Sequence, residues 1–230
     1  MKTLFISGTG TGVGKTLASA LLCRELMNQG YKVGYMKPVQ TGCLEKEGRL
    51  VSPDAEFVSM VCGQDLPVCC PYSLKLPASP HLAAKQEGVQ ITPLTIANTL
   101  AHFSESESFD YVVAEGAGGI SVPLNDKLDM AGLCKLLNGE LILVTTTSLG
   151  TLNHTKLTVE YARLHELESS VIISGCTENP GIIEEDNIKY ISEMVEERVL
   201  FKIPYILGVN TESSSAVTLP NIKLNPRLIR

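Results

Sequence analysis

The opening of the chain constrains its fold more than any other stretch, because it reads MKTLFISGTGTGVGKT. The apolar run at residues 2–7 predicts a buried β-strand, which leads directly into a glycine-rich loop. The loop ends in Gly14, Lys15 and Thr16, and apolar residues at helical spacing follow it. A strand, a glycine loop and a helix in this order predict a phosphate-binding loop within a parallel α/β sheet.

The loop is a variant of the triphosphate-binding consensus G-x-x-x-x-G-K-[ST], because Thr9 stands where the first glycine belongs. The dinucleotide fingerprint G-x-G-x-x-G fits less well, since its third glycine is replaced by Val13. We interpret the loop as a triphosphate site in which backbone N–H groups and Lys15 hold phosphates and the Thr16 hydroxyl binds magnesium. The alternative is a glycine-rich turn without a ligand.

The rest of the chain alternates between two patterns. Apolar, strand-like segments recur at residues 2–7, 32–38, 110–116, 140–146, 169–175 and 199–206. Helical patterns lie near residues 18–26, 54–62, 92–104, 127–138, 151–166 and 183–197. The alternation predicts an α/β fold of P-loop NTPase type, with a mostly parallel sheet and helices on both faces.

The 230 residues fit one domain over positions 1–230. The segment 63–80 contains four prolines and is interpreted as an ordered surface loop. The segment 210–230 is polar and interrupted by prolines, which favours a mobile tail.

Composition excludes several classes of partner. The net charge of -6 argues against a surface that coats nucleic acid. No apolar run approaches the roughly 20 residues that cross a bilayer. The seven cysteines show no C-x-x-C spacing, which favours reduced thiols. We therefore expect a soluble cytoplasmic protein without nucleic-acid or membrane partners.

Charged residues stand where predicted strands end. Glu115 ends the strand at 110–116 and is a candidate magnesium ligand. Asp54 is a second candidate acid, although it could simply cap the helix that follows. Lys37 ends the second strand and could stabilise charge on a transferring phosphoryl group, or it could be a solvated surface lysine.

The segment Leu149–Asn153 starts a predicted helix, whose free N–H groups could bind a carboxylate. The alternative is an ordinary helix start capped by Ser148, Thr151 or Asn153. His81 has no second histidine at metal-binding spacing, and we expect only a helix start there.

These pieces, in this order, resemble the dethiobiotin synthetase family of biotin biosynthesis. The matching stretches are GTGTGVGKT at 8–16, KPVQTG at 37–42, Asp54, SPHLAA at 79–84, EGAGG at 115–119, LGTLNH at 149–154 and KIPY at 202–205. The main match spans roughly residues 3–160.

The resemblance implies an ATP- and magnesium-dependent cyclo-ligase. Such an enzyme carboxylates one amine of 7,8-diaminononanoate with carbon dioxide, phosphorylates the carbamate, and closes the cyclic urea of dethiobiotin with release of ADP and phosphate. It also implies a homodimer in which the partner subunit supplies the helix start that receives the substrate's carboxylate.

The resemblance also implies roles for individual residues. Lys37 and Lys15 are expected to be catalytic, and Thr16, Asp54 and Glu115 to bind magnesium. The remaining nucleotide contacts are expected from Gly12, Val13, Gly14, Leu17, Gly116, Ala117, Gly118 and Pro204. The substrate is expected to contact Thr41, Leu149, Gly150 and Asn153.

The sequence departs from the family pattern at two positions. Gly12 stands where the family often has an acid, and Gly175 where it usually has an asparagine that reads adenine. We therefore hypothesise weak adenine recognition and a relaxed choice of nucleotide.

Two other classes of protein share the loop. An amidoligase of cobyrinic-acid type normally carries a glutaminase domain, for which this chain has no room. A nucleotide switch of the partitioning or septum-placing type has a signature lysine at the position of Gly10 and often a basic membrane helix, and the sequence shows neither.

Overall fold

The computed structural model describes residues 1–63, 65–207 and 219–225. The elements in chain order are β1 (Lys2–Gly8), α1 (Lys15–Asn28), β2 (Val33–Met36), β3 (Val39–Gln40), β4 (Leu44–Lys46), β5 (Arg49–Val51), α2 (Pro53–Cys62), β6 (Val68–Cys69), β7 (Tyr72–Ser73), α3 (Pro80–Glu87), α4 (Pro93–Glu107), β8 (Tyr111–Glu115), α5 (Met130–Leu136), β9 (Gly139–Thr146), α6 (Thr151–Leu164), β10 (Ser169–Cys176), α7 (Ile182–Met194) and β11 (Val199–Pro204).

Seven strands form one sheet in the order β11-β10-β9-β1-β8-β2-β6, and every neighbouring pair in it is parallel. The predicted parallel α/β fold is confirmed. Six of these strands coincide with the predicted segments, and three of the six (β1, β9 and β10) extend one residue beyond them. The interpretation of 63–80 as a surface loop was incomplete, because this segment contains β6 and β7. Two-residue strands are too short to show a periodic pattern.

Two apolar layers cover the sheet, because successive side chains of a strand point to opposite faces. Val113 of β8 belongs to a layer with α1 and α2, whereas Val112 and Ala114 belong to a layer with α3, α4, α5, α6 and α7. Helices therefore lie on both faces, as predicted. Tyr35 of β2 lies in the same layer as Val113. The layer covered by α1 and α2 therefore extends to the carboxyl ends of β2 and β8.

The described part of the C-terminal segment packs on that same layer. Ile222 and Leu224 are buried against it, and the Asn225 N–H donates to the Leu200 carbonyl at 3.0 Å. The Arg24 guanidinium donates to the Pro220 carbonyl. The remainder of the predicted mobile tail at 210–230 lies outside the described residues.

Among the described residues, no helix combines the length and the apolar character that crossing a membrane requires. All seven cysteines are free thiols.

Candidate active site

A cavity of about 1030 Å³ opens where the strands of the sheet end. Most of the predicted site residues line it: Gly12, Val13, Gly14, Lys15, Thr16, Leu17, Lys37, Thr41, Asp54, Glu115, Ala117, Gly118 and Pro204. Gly116 lies beside them, and its carbonyl accepts a hydrogen bond from the Lys37 ammonium at 3.4 Å. Residues from five separate stretches of sequence thus meet at one edge of the sheet, where parallel α/β folds bind ligands.

The glycine loop requires a glycine immediately before α1. Gly14 has a φ of 96°, and a Cβ there would lie 2.7 Å from the Ser174 hydroxyl oxygen. No side chain caps α1, so its first N–H groups face the cavity mouth without a side-chain acceptor. The Lys15 ammonium donates to the Gly10 carbonyl at 2.8 Å. Burial lowers the pKa of Lys15 to about 8, which gives its ammonium a strong preference for an anionic neighbour.

Lys37 lies between two carboxylates. Its Nζ is 2.5 Å from Asp54 Oδ2 and 2.7 Å from Glu115 Oε1. Only 3% of Lys37 is exposed, so the interpretation as a solvated surface lysine is wrong. Its backbone N–H continues the β2–β6 ladder by donating to the Cys69 carbonyl at 2.8 Å.

The pKa values of Lys37 and Asp54 are both shifted in the direction that favours the charged form. Burial on its own would lower the pKa of Lys37, but Glu115 and Asp54 outweigh it and raise that pKa above its usual value. Burial would raise the pKa of Asp54, but the neighbouring Lys37 outweighs this effect and holds the pKa below its usual value. The Lys37 ammonium and the Asp54 carboxylate therefore persist together in a buried place, where their pairing offsets the cost of burial.

Asp54 does not cap α2. The Ser52 hydroxyl oxygen accepts from the Ala55 N–H at 3.1 Å, so Ser52 is the capping residue. The Ser52 hydroxyl also donates to Gln40 Oε1 at 2.7 Å. The cap leaves the Asp54 carboxylate free to face the cavity, and the alternative interpretation of this residue as a cap is wrong.

Glu115 has two further partners. Its Oε1 accepts from the Thr16 hydroxyl at 3.0 Å, and its Oε2 accepts from the Tyr35 phenol at 2.9 Å. The sequence analysis missed Tyr35. Strand alternation places residues 35 and 37 on the same face, but it does not show that the Tyr35 phenol has a polar partner.

The start of α6 lies apart from this cluster. Gly150 precedes the helix with a φ of 95°, and no side chain caps it, so the predicted caps Ser148, Thr151 and Asn153 are wrong. Leu149 is 89% exposed. Leu149, Gly150 and Asn153 are absent from the cavity lining of the single chain, and the structure does not bring these predicted substrate contacts to the other site residues.

On the opposite wall of the cavity, neutral donors bind backbone carbonyls. The Thr147 hydroxyl donates to the Gly175 carbonyl at 3.2 Å, and Asn187 Nδ2 donates to the Thr147 carbonyl at 2.9 Å. The Tyr205 N–H donates to the Cys176 carbonyl at 2.7 Å. Gly175 has a φ of 79°, and a Cβ built there has no neighbour within 4 Å among the described residues.

The oxygens of the cluster are suited to magnesium. Within residues 1–63, 65–207 and 219–225, no group of three or more His, Cys, Asp and Glu side chains could hold a metal ion. Magnesium does not require such a group, because one or two carboxylates with substrate phosphates and water complete its octahedron. Asp54, Glu115 and the Thr16 hydroxyl provide hard oxygen donors of this kind.

A glycine loop that opens a helix at the edge of a parallel sheet, with buried lysines beside it, defines a nucleotide-binding protein of P-loop type. A family model described as an AAA domain matches residues 2–213. The ATP-dependent dethiobiotin synthetase BioD of Anoxybacillus flavithermus is 41% identical over 209 residues, with 90% of this chain and 93% of the relative covered. The protein of the same name from Caldicellulosiruptor saccharolyticus is 38% identical over 214 residues, covering 90% and 86% of the two chains. The chain belongs to the family of ATP-dependent dethiobiotin synthetases, and is thus an ATP-dependent cyclo-ligase.

Solved structures resemble the fold more broadly. The MinC:MinD cell division protein complex of Aquifex aeolicus contains a chain with a TM-score of 0.57 and 13% identity, covering 89% of this chain and 82% of that one. At this identity the likeness shows the P-loop NTPase-like fold alone.

Proposed function

We propose that the protein makes dethiobiotin from 7,8-diaminononanoate, carbon dioxide and ATP, with magnesium, in the cytoplasm. The observation that carries the proposal is the buried cluster of Lys37, Asp54 and Glu115 beside the glycine loop. Relatives named for this synthesis at 38–41% identity support it further.

The reaction has three balanced steps. One amine attacks carbon dioxide, forms a C–N bond and releases a proton, which leaves a carbamate. A carbamate oxygen then attacks the γ-phosphorus of ATP, and ADP leaves. The second amine attacks the carbonyl carbon of this mixed anhydride, the C–O bond to phosphate breaks, and the cyclic urea and phosphate are released with a proton.

The glycine loop supports the second step by positioning the nucleotide. The uncapped N–H groups of α1 and the Lys15 ammonium would bind the phosphates. Phosphoryl transfer depends on positioning and on neutralising charge rather than on covalent help from the protein. In this proposal Gly12, Val13, Gly14, Thr16 and Leu17 contact the phosphates.

Lys37 would neutralise the carbamate and the transferring phosphoryl group. Its Nζ is held at 2.5 and 2.7 Å from the two carboxylates, so it is already oriented before any substrate arrives. Orientation of this kind avoids reorganisation during the reaction, which is why fixed charges lower barriers effectively. Lys15 would act on the same phosphoryl group from the side of the loop.

Thr16, Asp54 and Glu115 would hold the magnesium ion. When bound, the ion supplies positive charge to the phosphate oxygens. The remaining nucleotide contacts in this proposal are Gly116, Ala117, Gly118 and Pro204.

The substrate would contact Thr41 in the cavity, and Leu149, Gly150 and Asn153 at the start of α6. These three lie outside the cavity of one chain, and Leu149 is 89% exposed. A homodimer that brings α6 of one subunit to the cavity of the other would unite them.

Complementation between variants tests this shared site. We expect Lys37→Met and Asn153→Asp each to be defective alone. After subunit exchange in a mixture of the two, random pairing makes about half of the dimers mixed, and each mixed dimer contains one intact site. Activity should therefore recover at up to about a quarter of all sites. The reference is a mixture of Lys37→Met with Lys46→Met, a variant that we expect to keep wild-type activity because Lys46 is exposed. No recovery despite proven exchange would mean that each chain builds its own substrate site.

The proposed reaction is tested by measuring phosphate release from ATP, magnesium and bicarbonate, with and without 7,8-diaminononanoate, together with mass detection of dethiobiotin. We expect one phosphate per dethiobiotin and little release without the diamine. Hydrolysis that is independent of the diamine, with no cyclic urea, would contradict the proposal and favour a nucleotide switch.

A further inference from the structure

The phenol of Tyr35 makes a contact that the proposed roles do not use. Tyr35 is fully buried, and its hydroxyl donates to Glu115 Oε2 at 2.9 Å. A tyrosine hydroxyl at the end of an apolar layer needs a hydrogen-bond partner, which this carboxylate provides.

The two carboxylate oxygens of Glu115 have different hydrogen-bond partners. Oε2 faces the sheet and accepts from Tyr35, whereas Oε1 accepts from Thr16 at 3.0 Å and lies 2.7 Å from the Lys37 ammonium. The χ3 angle of a glutamate has only a weak intrinsic preference, so a hydrogen bond to one oxygen restricts the rotation of the whole carboxylate. Tyr35 thereby keeps Oε1 pointed at the cavity.

The strands explain how Tyr35 reaches Glu115. Tyr35 of β2 pairs with Val113 of β8, and Glu115 follows two residues later on the same face. The ring packs in the layer that contains Val113, α1 and α2, so it is fixed on all sides. Burial, followed by the charge of Glu115, raises the pKa of the Tyr35 phenol, which keeps the phenol a donor.

We infer that Tyr35 is a positioning residue that fixes the carboxylate of Glu115 and so sets how tightly the site binds its divalent cation. The inference rests on the proposed metal-binding role of Glu115. Tyr35 touches neither nucleotide nor substrate in this account, and it acts only through Glu115.

The test uses Mn²⁺ as a spectroscopic probe, measured by electron paramagnetic resonance with the full chain and ADP. We expect Tyr35→Phe to weaken Mn²⁺ binding about tenfold, since a buried carboxylate loses a donor. ADP affinity without metal should change less than about twofold. In steady state, the magnesium concentration for half-maximal rate should rise in the same proportion as the Mn²⁺ constant.

Tyr111→Phe is the matched control. Tyr111 is only 6% exposed and begins the strand that Glu115 ends. Removing its hydroxyl should leave Mn²⁺ binding unchanged. An equal loss in both variants would overturn the inference, because the effect would then be one of folding.

A double-mutant cycle separates action through Glu115 from a general effect. In a Glu115→Gln background, adding Tyr35→Phe should cause no further loss of Mn²⁺ binding. Additive losses, or unchanged Mn²⁺ binding in folded Tyr35→Phe, would overturn the inference. Failure of the proposed reaction would show differently, as absence of dethiobiotin from a wild-type protein that still binds Mn²⁺ through Glu115.

Discussion

The two walls of the cavity are built by different means. On one wall, at the ends of β2 and β8, buried charged side chains contact one another. Lys37 lies within 2.7 Å of two carboxylates, and Glu115 has three polar neighbours, namely Lys37, Thr16 and Tyr35. On the other wall, at the ends of β9, β10 and β11, the acceptors are neutral backbone carbonyls: the Thr147 hydroxyl donates to Gly175, the Asn187 amide donates to Thr147, and the Tyr205 N–H donates to Cys176.

The two walls should therefore differ in how well they tolerate substitutions. Removing one member of a buried charge cluster leaves the others unpaired in a poorly solvated place, which costs several kcal/mol. On the wall whose acceptors are backbone carbonyls, no buried charge is left unpaired when one side chain is replaced. We therefore expect the chemistry of the enzyme to be rigidly specified and its nucleotide base to be loosely specified.

The largest expected effect comes from Lys37→Met. It should lower the rate of dethiobiotin formation by about 10²–10³-fold, since a fixed charge aimed at the reacting group is lost. The unpaired carboxylates should also lower the free energy of unfolding by about 3–5 kcal/mol, measured by urea denaturation. Lys46→Met removes an exposed partner of Glu56 at 2.7 Å and should change both quantities little. Comparable effects in the two variants would break the contrast between buried and exposed pairs.

Asp54→Asn should have the next largest effect. We expect the magnesium concentration for half-maximal rate to rise about 10–100-fold, since one of two carboxylate ligands becomes neutral. Glu56→Gln is its control, because Glu56 lies in the same first turn of α2 with its side chain 42% exposed. A magnesium dependence that Asp54→Asn leaves unchanged would remove this residue from the proposed metal site.

The backbone wall should respond more weakly. We expect wild-type efficiencies with ATP, GTP and CTP to agree within about tenfold, and Gly175→Asn to increase the preference for ATP by a few-fold, because an amide adds donor and acceptor groups. Asparagine tolerates the positive φ better than other side chains. Gly30→Asn is the control, since Gly30 also has a positive φ of 89° and free space for a Cβ. A strong wild-type preference for ATP would contradict weak adenine recognition.

Thr147→Val should give the smallest effect. It removes the hydroxyl that donates to the Gly175 carbonyl at 3.2 Å. Since Asn187 also supports this wall through the Thr147 carbonyl, we expect KM for ATP to change only about two- to fivefold. A loss as large as that of Lys37→Met would show that the backbone wall is as tightly specified as the charged one.

The charged wall was predictable because it follows strand ends. Lys37 and Glu115 each end an apolar run, and parallel strands gather such residues at one edge. Asp54 was less secure, because a carboxylate before a helix has two ordinary explanations, and only the cap by Ser52 decides between them.

Other features lay beyond sequence reasoning. Tyr35 sits in an apolar strand, where a phenol is indistinguishable from a core side chain until its partner on β8 is known. The strand β6 has two residues and exists because its neighbour β2 offers an open edge. In the proposed homodimer, the positions of Leu149, Gly150 and Asn153 relative to the cavity would depend on how the subunits assemble, which one sequence does not specify.

The central claim is that a carbamate oxygen is phosphorylated and then leaves with phosphate. The most direct test supplies ¹⁸O-labelled carbon dioxide in a single turnover fast enough to limit exchange with water, and analyses both products by mass spectrometry. We expect one labelled oxygen in the released phosphate and one in the urea of dethiobiotin. Dethiobiotin formed together with unlabelled phosphate would contradict the mixed anhydride and the role proposed for Lys37.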